Sequence, residues 1–116
     1  YVQAQRSRTL LMEDMEAVFE TCDVMAIPTS PQLASKLDDS SEQSSSPSGP
    51  PTPQHCRLGN MTGHPALCLP CGFSTGPPKL PIGIMLYART FDESSLFRAG
   101  HAYQAVTQWH GQRPPI

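Results

Sequence analysis

Two apolar runs without polar alternation, Ala66–Pro70 and Ile82–Ala88, most constrain how this chain can fold. Strands of this kind are buried on both faces, as in sheets that have helices above and below them. About ten residues join the two runs, too few for a crossover helix, so we expect an antiparallel pair. The sequence therefore predicts an α/β fold. Two helices cannot easily cover such a sheet, so the chain needs partners that it does not contain.

The first predicted elements are a helix and a strand that follows it at once. Residues Tyr1 to Thr21 show helical spacing of apolar side chains between acidic ones, carried by Leu11, Met15, Val18, Phe19 and Cys22. Asp23–Ile27 is short, apolar and stopped by Pro28, which predicts a buried strand. A helix that runs directly into such a strand is typical of α/β proteins.

A second helix is predicted after the apolar runs. Asp92 suits its N-cap, and Glu93 suits the positive end of the helix dipole. The expected apolar stripe consists of Leu96, Ala99, Tyr103 and Val106. We expect the helix to end near His110-Gly111, because Pro114-Pro115 cannot continue it.

A stretch without hydrophobic residues separates the two halves of the chain. Asp38–Pro53 consists only of Asp, Glu, Gln, Ser, Thr, Pro and Gly, so it cannot bury enough surface to offset its ordering entropy. We therefore expect three segments: a helix–strand segment over 1–31, a disordered Ser/Pro-rich insertion over 32–57, and a strand–strand–helix segment over 58–116. Ser46-Pro47 and Thr52-Pro53 are either phosphorylation sites or parts of a solvated insertion.

Composition excludes several classes of function. The net charge of −2 leaves no basic footprint for a nucleic acid, and no run approaches the roughly 20 apolar residues of a membrane span. No charged and apolar leader precedes the first helix, so no secretory signal is expected. Four cysteines are too few and too scattered for a disulfide scaffold, which favours a reducing, cytoplasmic location.

The spacing Cys68-Leu-Pro-Cys71 invites a redox or zinc interpretation, but the flanking residues argue against both. A redox pair needs its first cysteine at a helix N-terminus, and no helix can start within Gly72–Pro78. A zinc site needs two further ligands, for which the candidates are His55, Cys56 and His64, and they lack the usual paired spacing. We expect core and loop cysteines, with no metal and no cofactor.

No catalytic nucleophile is expected within the chain. The serines concentrate in the hydrophobe-free stretch, where no base can be held beside them. The two lysines, Lys36 and Lys79, stand in predicted loops. His101 and His110 fall on the last predicted helix, where solvated or core histidines are the more common outcome.

Two conspicuous turns, Pro28-Thr29 and Asn60–Pro65, close the ends of predicted buried strands. Ligand pockets in α/β proteins form at such strand ends. They are the only candidate site that the residues suggest on their own.

The motifs follow one another as in a known family. The second half of the chain closely resembles the C-terminal end of amidase signature enzymes, and Asp23–Thr29 is similar to the family's strand that leads to Pro-Thr. The matching stretches are Asn60-Met-Thr-Gly-His-Pro-Ala-Leu-Cys-Leu-Pro-Cys-Gly-Phe73, Leu80-Pro-Ile-Gly-Ile-Met-Leu-Tyr87, Arg89-Thr-Phe-Asp-Glu93, Ala99-Gly-His-Ala-Tyr103 and Trp109-His110. Together they cover nearly all of the chain outside the Ser/Pro-rich insertion.

The resemblance implies the C-terminal part of an α/β/α fold with a mixed sheet, in an enzyme that cleaves amide C–N bonds. It also implies a Ser–cis-Ser–Lys triad, which lies upstream in the family and matches no position here. The chain alone is therefore expected to be inactive. What carries over is the framing of a substrate pocket through backbone hydrogen bonds and fixed turns, by Pro28, Thr29, Asn60, Thr62 and Gly63. The alternative is that these residues only shape the fold.

The resemblance implies a small-molecule amide as substrate and the missing N-terminal part of the same domain as partner, and it leaves a homodimer open. Glutamine-using relatives, the A subunits of tRNA amidotransferases, carry an acidic residue before the Asn-x-x-Gly turn. Pro53–Gly59 holds none, which favours a stand-alone amidase over such an amidotransferase component. A non-catalytic protein that uses the Ser/Pro-rich loop for interactions is the third alternative.

Overall fold

The computed structural model describes residues 1–34 and 57–113. They form, in chain order, α1 (Val2–Phe19), β1 (Met25–Pro28), α2 (Arg57–Thr62), β2 (Ala66–Phe73), β3 (Pro81–Tyr87), α3 (Glu93–Val106) and a final 3-10 turn (Trp109–Gly111). Residues 38–53, for which we predict disorder, lie outside the described ranges. Cys56 and the two Ser/Thr-Pro dipeptides lie outside them as well. The division into three segments stays a prediction.

The three strands form one antiparallel sheet in the order β1-β3-β2. β3 is central: Met85 pairs with Ile27 on one side and with Cys68 on the other. The expected antiparallel pairing of the two apolar runs is confirmed. The parallel pairing that a mixed sheet requires does not occur among the described strands.

Helices cover both faces of the central strand, which explains why its apolar run does not alternate. On one face, Met85 and Tyr87 pack against Met15 and Phe19 of α1, together with Leu58 of α2. On the other face, a second core forms among β2, β3 and α3, from Leu69, Leu86, Ala88 and Leu96. The described residues are therefore arranged as helix, sheet and helix, the α/β layering that the sequence predicts.

The two long helices are fixed at the ends that meet the sheet. Asp92 is the N-cap of α3 as predicted, and its side chain accepts a hydrogen bond from the backbone N–H of Ser95 at 3.3 Å. At the C-terminus of α1, Arg89 Nε donates to the carbonyl oxygen of Phe19 at 3.0 Å. A cation at this position also complements the negative end of the helix dipole.

Several predicted boundaries differ from the structure. β1 begins at Met25 and ends at Pro28, later than the predicted Asp23–Ile27. β2 continues through Cys71 to Phe73, where the sequence predicts a loop, because a bulge between Pro70 and Gly72 lets pairing with β3 resume. The local Pro and Gly residues signal a loop, and the cross-strand ladder overrides that signal.

The end of α3 is another difference. The helix ends at Val106, not near His110, because Thr107 adopts an extended backbone and its hydroxyl donates to the carbonyl of Tyr103 at 2.8 Å. The departure brings Trp109 into edge-to-face contact with Phe73 at 6.1 Å. It also leaves Val106 82% exposed, so including Val106 in the apolar stripe was wrong.

Among the residues that the structure describes, no helix is long and apolar enough to cross a membrane.

Candidate functional site at the end of the sheet

Thr29 stands just beyond the last residue of β1, at the end of the sheet where Gly83 lies. Its backbone N–H donates to the carbonyl oxygen of Gly83 at 3.0 Å, which continues the β1–β3 ladder past Pro28. Its hydroxyl oxygen lies 3.1 Å from the sulfur of Cys68, 39 residues away, and either atom can donate. Thr29, which follows β1, therefore contacts Cys68 of β2 and Gly83 of β3 at this point.

A depression opens beside Thr29. Its volume is about 600 Å³, which is within the size range of small-molecule sites. Thr29 and Gly83 form part of its wall, and the segment that follows β1 forms most of the rest, through Ser30, Pro31, Gln32, Leu33 and Ala34. The Ser30 hydroxyl donates to the carbonyl of Gln32 at 2.8 Å, which holds this segment in a turn. Pro28 itself is exposed and lines a smaller hollow of about 230 Å³ on the α3 side.

The second predicted stretch, Asn60–Gly63, is built differently from the expected turn. Asn60 and Thr62 belong to α2, and Gly63 follows it with a φ of 81°, which only glycine adopts readily and which ends many helices. The carbonyl of Met61 accepts a hydrogen bond from Arg8 Nε at 2.6 Å. The sequence predicts a turn over Asn60–Pro65, and the helix that occupies the first residues of that stretch was missed.

The side chains of this stretch differ in what they can offer a ligand. Thr62 is buried, and its hydroxyl donates to the carbonyl of Leu58 at 2.8 Å, so it serves the helix. Asn60 and Gly63 are exposed.

The structure does not bring the two predicted stretches together. Thr29 lies beside Gly83, whereas Gly63 and His64 precede Ala66, which pairs with Tyr87. Gly83 and Tyr87 are four residues apart on β3, which is about 13 Å at the rise of an extended strand. Pro28-Thr29 and Asn60–Gly63 therefore lie at opposite ends of the described sheet, and their roles in substrate binding stay predictions.

Cys68 and Cys71 lie on opposite faces of the sheet. Cys68 pairs with Met85 and approaches Thr29, on the face that α1 covers. Cys71 lines the hollow shared by Pro28 and Ile84, and Ile84 packs into the core on the α3 side. The two thiols therefore do not form a joint redox or metal-binding pair. Alternation along a strand puts residues i and i+3 on opposite faces, so the separation of the two thiols follows once Cys71 belongs to β2 and not to a loop.

His64 is a buried polar residue at the other end of the sheet. Its ring stacks on Phe19 with centroids 5.4 Å apart. Its Nε2 lies 3.4 Å from a carboxylate oxygen of Glu16, an ion-pair distance without hydrogen-bond geometry, and neither ring nitrogen has a hydrogen-bond partner among the described residues. Within those residues, no three His, Cys, Asp or Glu side chains cluster as metal ligands would. The other zinc candidates, His55 and Cys56, lie outside them.

Comparison with known proteins decides the family. The profile of the amidase family matches residues 1–97, most of the chain. The chain belongs to the amidase family. The resemblance found in the order of its motifs is thereby confirmed.

Curated relatives match the whole chain. It is 44% identical to the A subunit of the glutamyl-tRNA(Gln) amidotransferase of Chloroflexus aurantiacus, and 43% identical to the A subunits of the same enzyme from Chloroflexus aggregans and Roseiflexus castenholzii. Each match covers 100% of this chain and 23% of the relative. The chain thus spans less than a quarter of the length of these relatives.

Proposed function

We propose that this chain is the C-terminal part of an amidase that hydrolyses amide C–N bonds, and that it forms one wall of the substrate pocket. The amidase family match over residues 1–97 carries the proposal. The proposed reaction uses the family's Ser–cis-Ser–Lys triad, which the resemblance implies upstream of this chain.

Within the pocket, we propose that Thr29 contacts the amide substrate and that Pro28 fixes the turn that places Thr29, since Pro28 itself lines the hollow on the α3 side. Support comes from the depression beside Thr29, which is large enough for a small molecule and which Thr29 lines together with Gly83. A hydroxyl can both donate to a carbonyl and accept from an N–H, the two groups that an amide presents. Asn60, Thr62 and Gly63 precede the opposite end of β2, and we propose that they position α2 and the start of that strand.

The test uses the intact protein that contains this chain. Ammonia release from benzamide and from glutamine is measured with purified protein, alongside the variants Thr29→Val and Ser7→Ala. Thr29→Val is expected to raise KM because it removes the hydroxyl and keeps the shape. Ser7 donates to the carbonyl of Gln3 on the exposed side of α1, so Ser7→Ala is the matched control. Hydrolysis of neither amide would contradict the proposed activity.

A glutamine-using component of an amidotransferase is the second candidate function. It is favoured by the names of the relatives, which are A subunits of glutamyl-tRNA(Gln) amidotransferases at 43–44% identity. The lack of an acidic residue in Pro53–Gly59 favours the stand-alone amidase. The two are separated by substrate preference: an amidotransferase component is expected to prefer glutamine over benzamide and to copurify with a second protein, and an amidase is not.

We also propose a cytoplasmic location. Cys22, Cys68 and Cys71 are free thiols in the described residues, as expected in a reducing compartment.

The proposed partner is the N-terminal part of the same domain, because β1 and β2 each have one edge without a strand in the described sheet. A homodimer stays a prediction.

A further inference from the structure

Close packing leaves no room for a side chain at Gly83. A Cβ at this position would lie 2.8 Å from the hydroxyl oxygen of Thr29 and 3.4 Å from the sulfur of Cys68. Heavy atoms do not approach a Cβ as closely as 2.8 Å without something shifting. Gly83 is not among the residues with positive φ, so its backbone does not itself demand glycine. The missing side chain leaves the room in which Thr29 and Cys68 meet.

We propose that Cys68 and Gly83 are positioning residues that hold the Thr29 hydroxyl at the wall of the depression. Gly83 leaves the space above the central strand, and the thiol of Cys68 fixes the hydroxyl by the 3.1 Å hydrogen bond. The backbone of Thr29 is already held by its hydrogen bond to Gly83. With both backbone and side chain fixed, the hydroxyl has one orientation, beside the depression that Thr29 and Gly83 line.

The hydrogen bond to sulfur leaves the hydroxyl able to serve a ligand. A threonine hydroxyl has one proton to donate and two lone pairs, and the thiol engages only one of these. When the thiol donates, the hydroxyl proton is free for an amide carbonyl. When the hydroxyl donates, its lone pairs are free for an amide N–H. The inference rests on the proposed role of Thr29 and adds the two residues that control it.

The first measurement is independent of activity. Thermal unfolding of the intact protein is compared for Thr29→Val, Cys68→Ala and the double variant. If the two side chains are hydrogen-bonded, the Tm loss of the double variant is smaller than the sum of the losses of the two single variants, because each single variant already breaks the bond. Tm shifts that simply add would show that the contact is absent and would overturn the inference, whether or not the protein hydrolyses amides.

The second measurement tests whether the position of the Thr29 hydroxyl affects substrate binding. KM and kcat are measured with benzamide or glutamine, whichever the protein hydrolyses. Cys68→Ala is expected to raise KM about two- to tenfold, the range of one modest hydrogen bond, with kcat little changed. Cys68→Ser keeps a hydrogen-bonding group and is expected to recover most of the loss. Gly83→Ala is expected to raise KM as well, because the new methyl group displaces the hydroxyl.

Cys71→Ala is the matched control, because this neighbouring thiol lies on the other face of the sheet, and its KM is expected to stay at the wild-type value. An equal effect of Cys71→Ala and Cys68→Ala would mean a general loss of strand packing and would overturn the inference. If the Tm shifts are coupled but Thr29→Val does not change KM, the hydrogen bond exists and does not affect the substrate. That outcome would contradict the role proposed for Thr29 and would leave the contact with a structural role only.

Discussion

Asp92 shows how one side chain sets the start of a helix. Its carboxylate accepts from the Ser94 hydroxyl at 2.8 Å and from the backbone N–H of Ser95 at 3.3 Å. Hydrogen bonds from the side chains of Ser95 and then Ser94 hold the pKa of Asp92 below its ordinary value of 3.8. The folded state therefore prefers the ionised carboxylate, which suits the positive end of the helix dipole.

Replacing Asp92 by alanine is expected to destabilise the protein at neutral pH. Because the folded-state pKa is lowered, the contribution of the charge is fully present above pH 3.8 and is lost as pH falls through the lower folded value. The difference in Tm between wild type and Asp92→Ala should therefore shrink below pH 3.8. Asp14→Ala, at an exposed acid on α1, is the control. A difference that is independent of pH would contradict a role for the charge.

We predict that His64→Phe keeps the stability of the protein and that His64→Ala lowers it. His64→Phe keeps the ring that stacks on Phe19 and removes two buried nitrogens that lack partners among the described residues, so stability should be equal or higher. His64→Ala leaves a cavity and should lower the free energy of unfolding by about 3 kcal/mol. Urea unfolding measures both changes. A greater loss in His64→Phe than in His64→Ala would mean that the nitrogens are needed.

At the scale of elements, α3 approaches β2 closely because position 100 carries no side chain. A Cβ on Gly100 would lie 2.7 Å from one methyl carbon of Leu67 and 3.4 Å from one of Leu69. Both neighbours are ends of flexible side chains, which can shift by a few tenths of an ångström. Gly100 is buried in the interior of the helix, where glycine is otherwise unfavourable.

Two substitutions at Gly100 are expected to change the free energy of unfolding by different amounts. Gly100→Ala should change the free energy of unfolding by less than about 1 kcal/mol, because the gain in helix propensity offsets the shift of Leu67. Gly100→Leu should lower it by about 1–3 kcal/mol, because the larger side chain pushes the helix off the sheet. Ala102→Leu, at an exposed position of the same helix, is the control. Equal losses in Gly100→Leu and Ala102→Leu would contradict close packing as the cause.

Elements were predictable from sequence where their signals are local. The apolar periodicity of α1, the cap at Asp92 and the run of β3 each depend on neighbouring residues, and each was found. α2 was missed because Asn60, Gly63 and Pro65 indicate a turn. The helix packs against the sheet there: a Cβ on Gly59 would lie 3.1 Å from the Tyr87 ring. Tertiary contact thus overrides a weak local preference.

At the scale of the whole molecule, this chain covers 23% of the length of its amidotransferase relatives. The described sheet has helices on both faces of β3, yet several apolar side chains stay exposed, among them Phe91, Phe97 and Val106. The depression beside Thr29 has no His, Lys, Asp or Glu among its described lining residues, so it offers no base. The chemistry that we propose therefore needs residues outside the described part of the chain.

The isolated 116-residue chain is predicted to release no ammonia from benzamide or glutamine. Its two lysines are Lys36 and Lys79, and neither matches the base that the family resemblance implies. The intact protein, assayed at equal concentration, is the positive control. Measurable turnover by the pure chain, abolished by substituting one of its own residues, would place a catalytic group here and contradict the prediction.

The α/β class, the antiparallel pairing of the two apolar runs and the family were predictable, because apolar patterns, the length of the connection and the order of motifs can be read along the chain. The contact between Thr29 and Cys68, the direction of Cys71 and the position of Asn60–Gly63 at the opposite end of the sheet come from the tertiary structure. The reason is strand register. Which residues face one another depends on pairing between strands that are distant in sequence, and the glycine at position 83 allows the close approach of Thr29 and Cys68 only once that pairing is made.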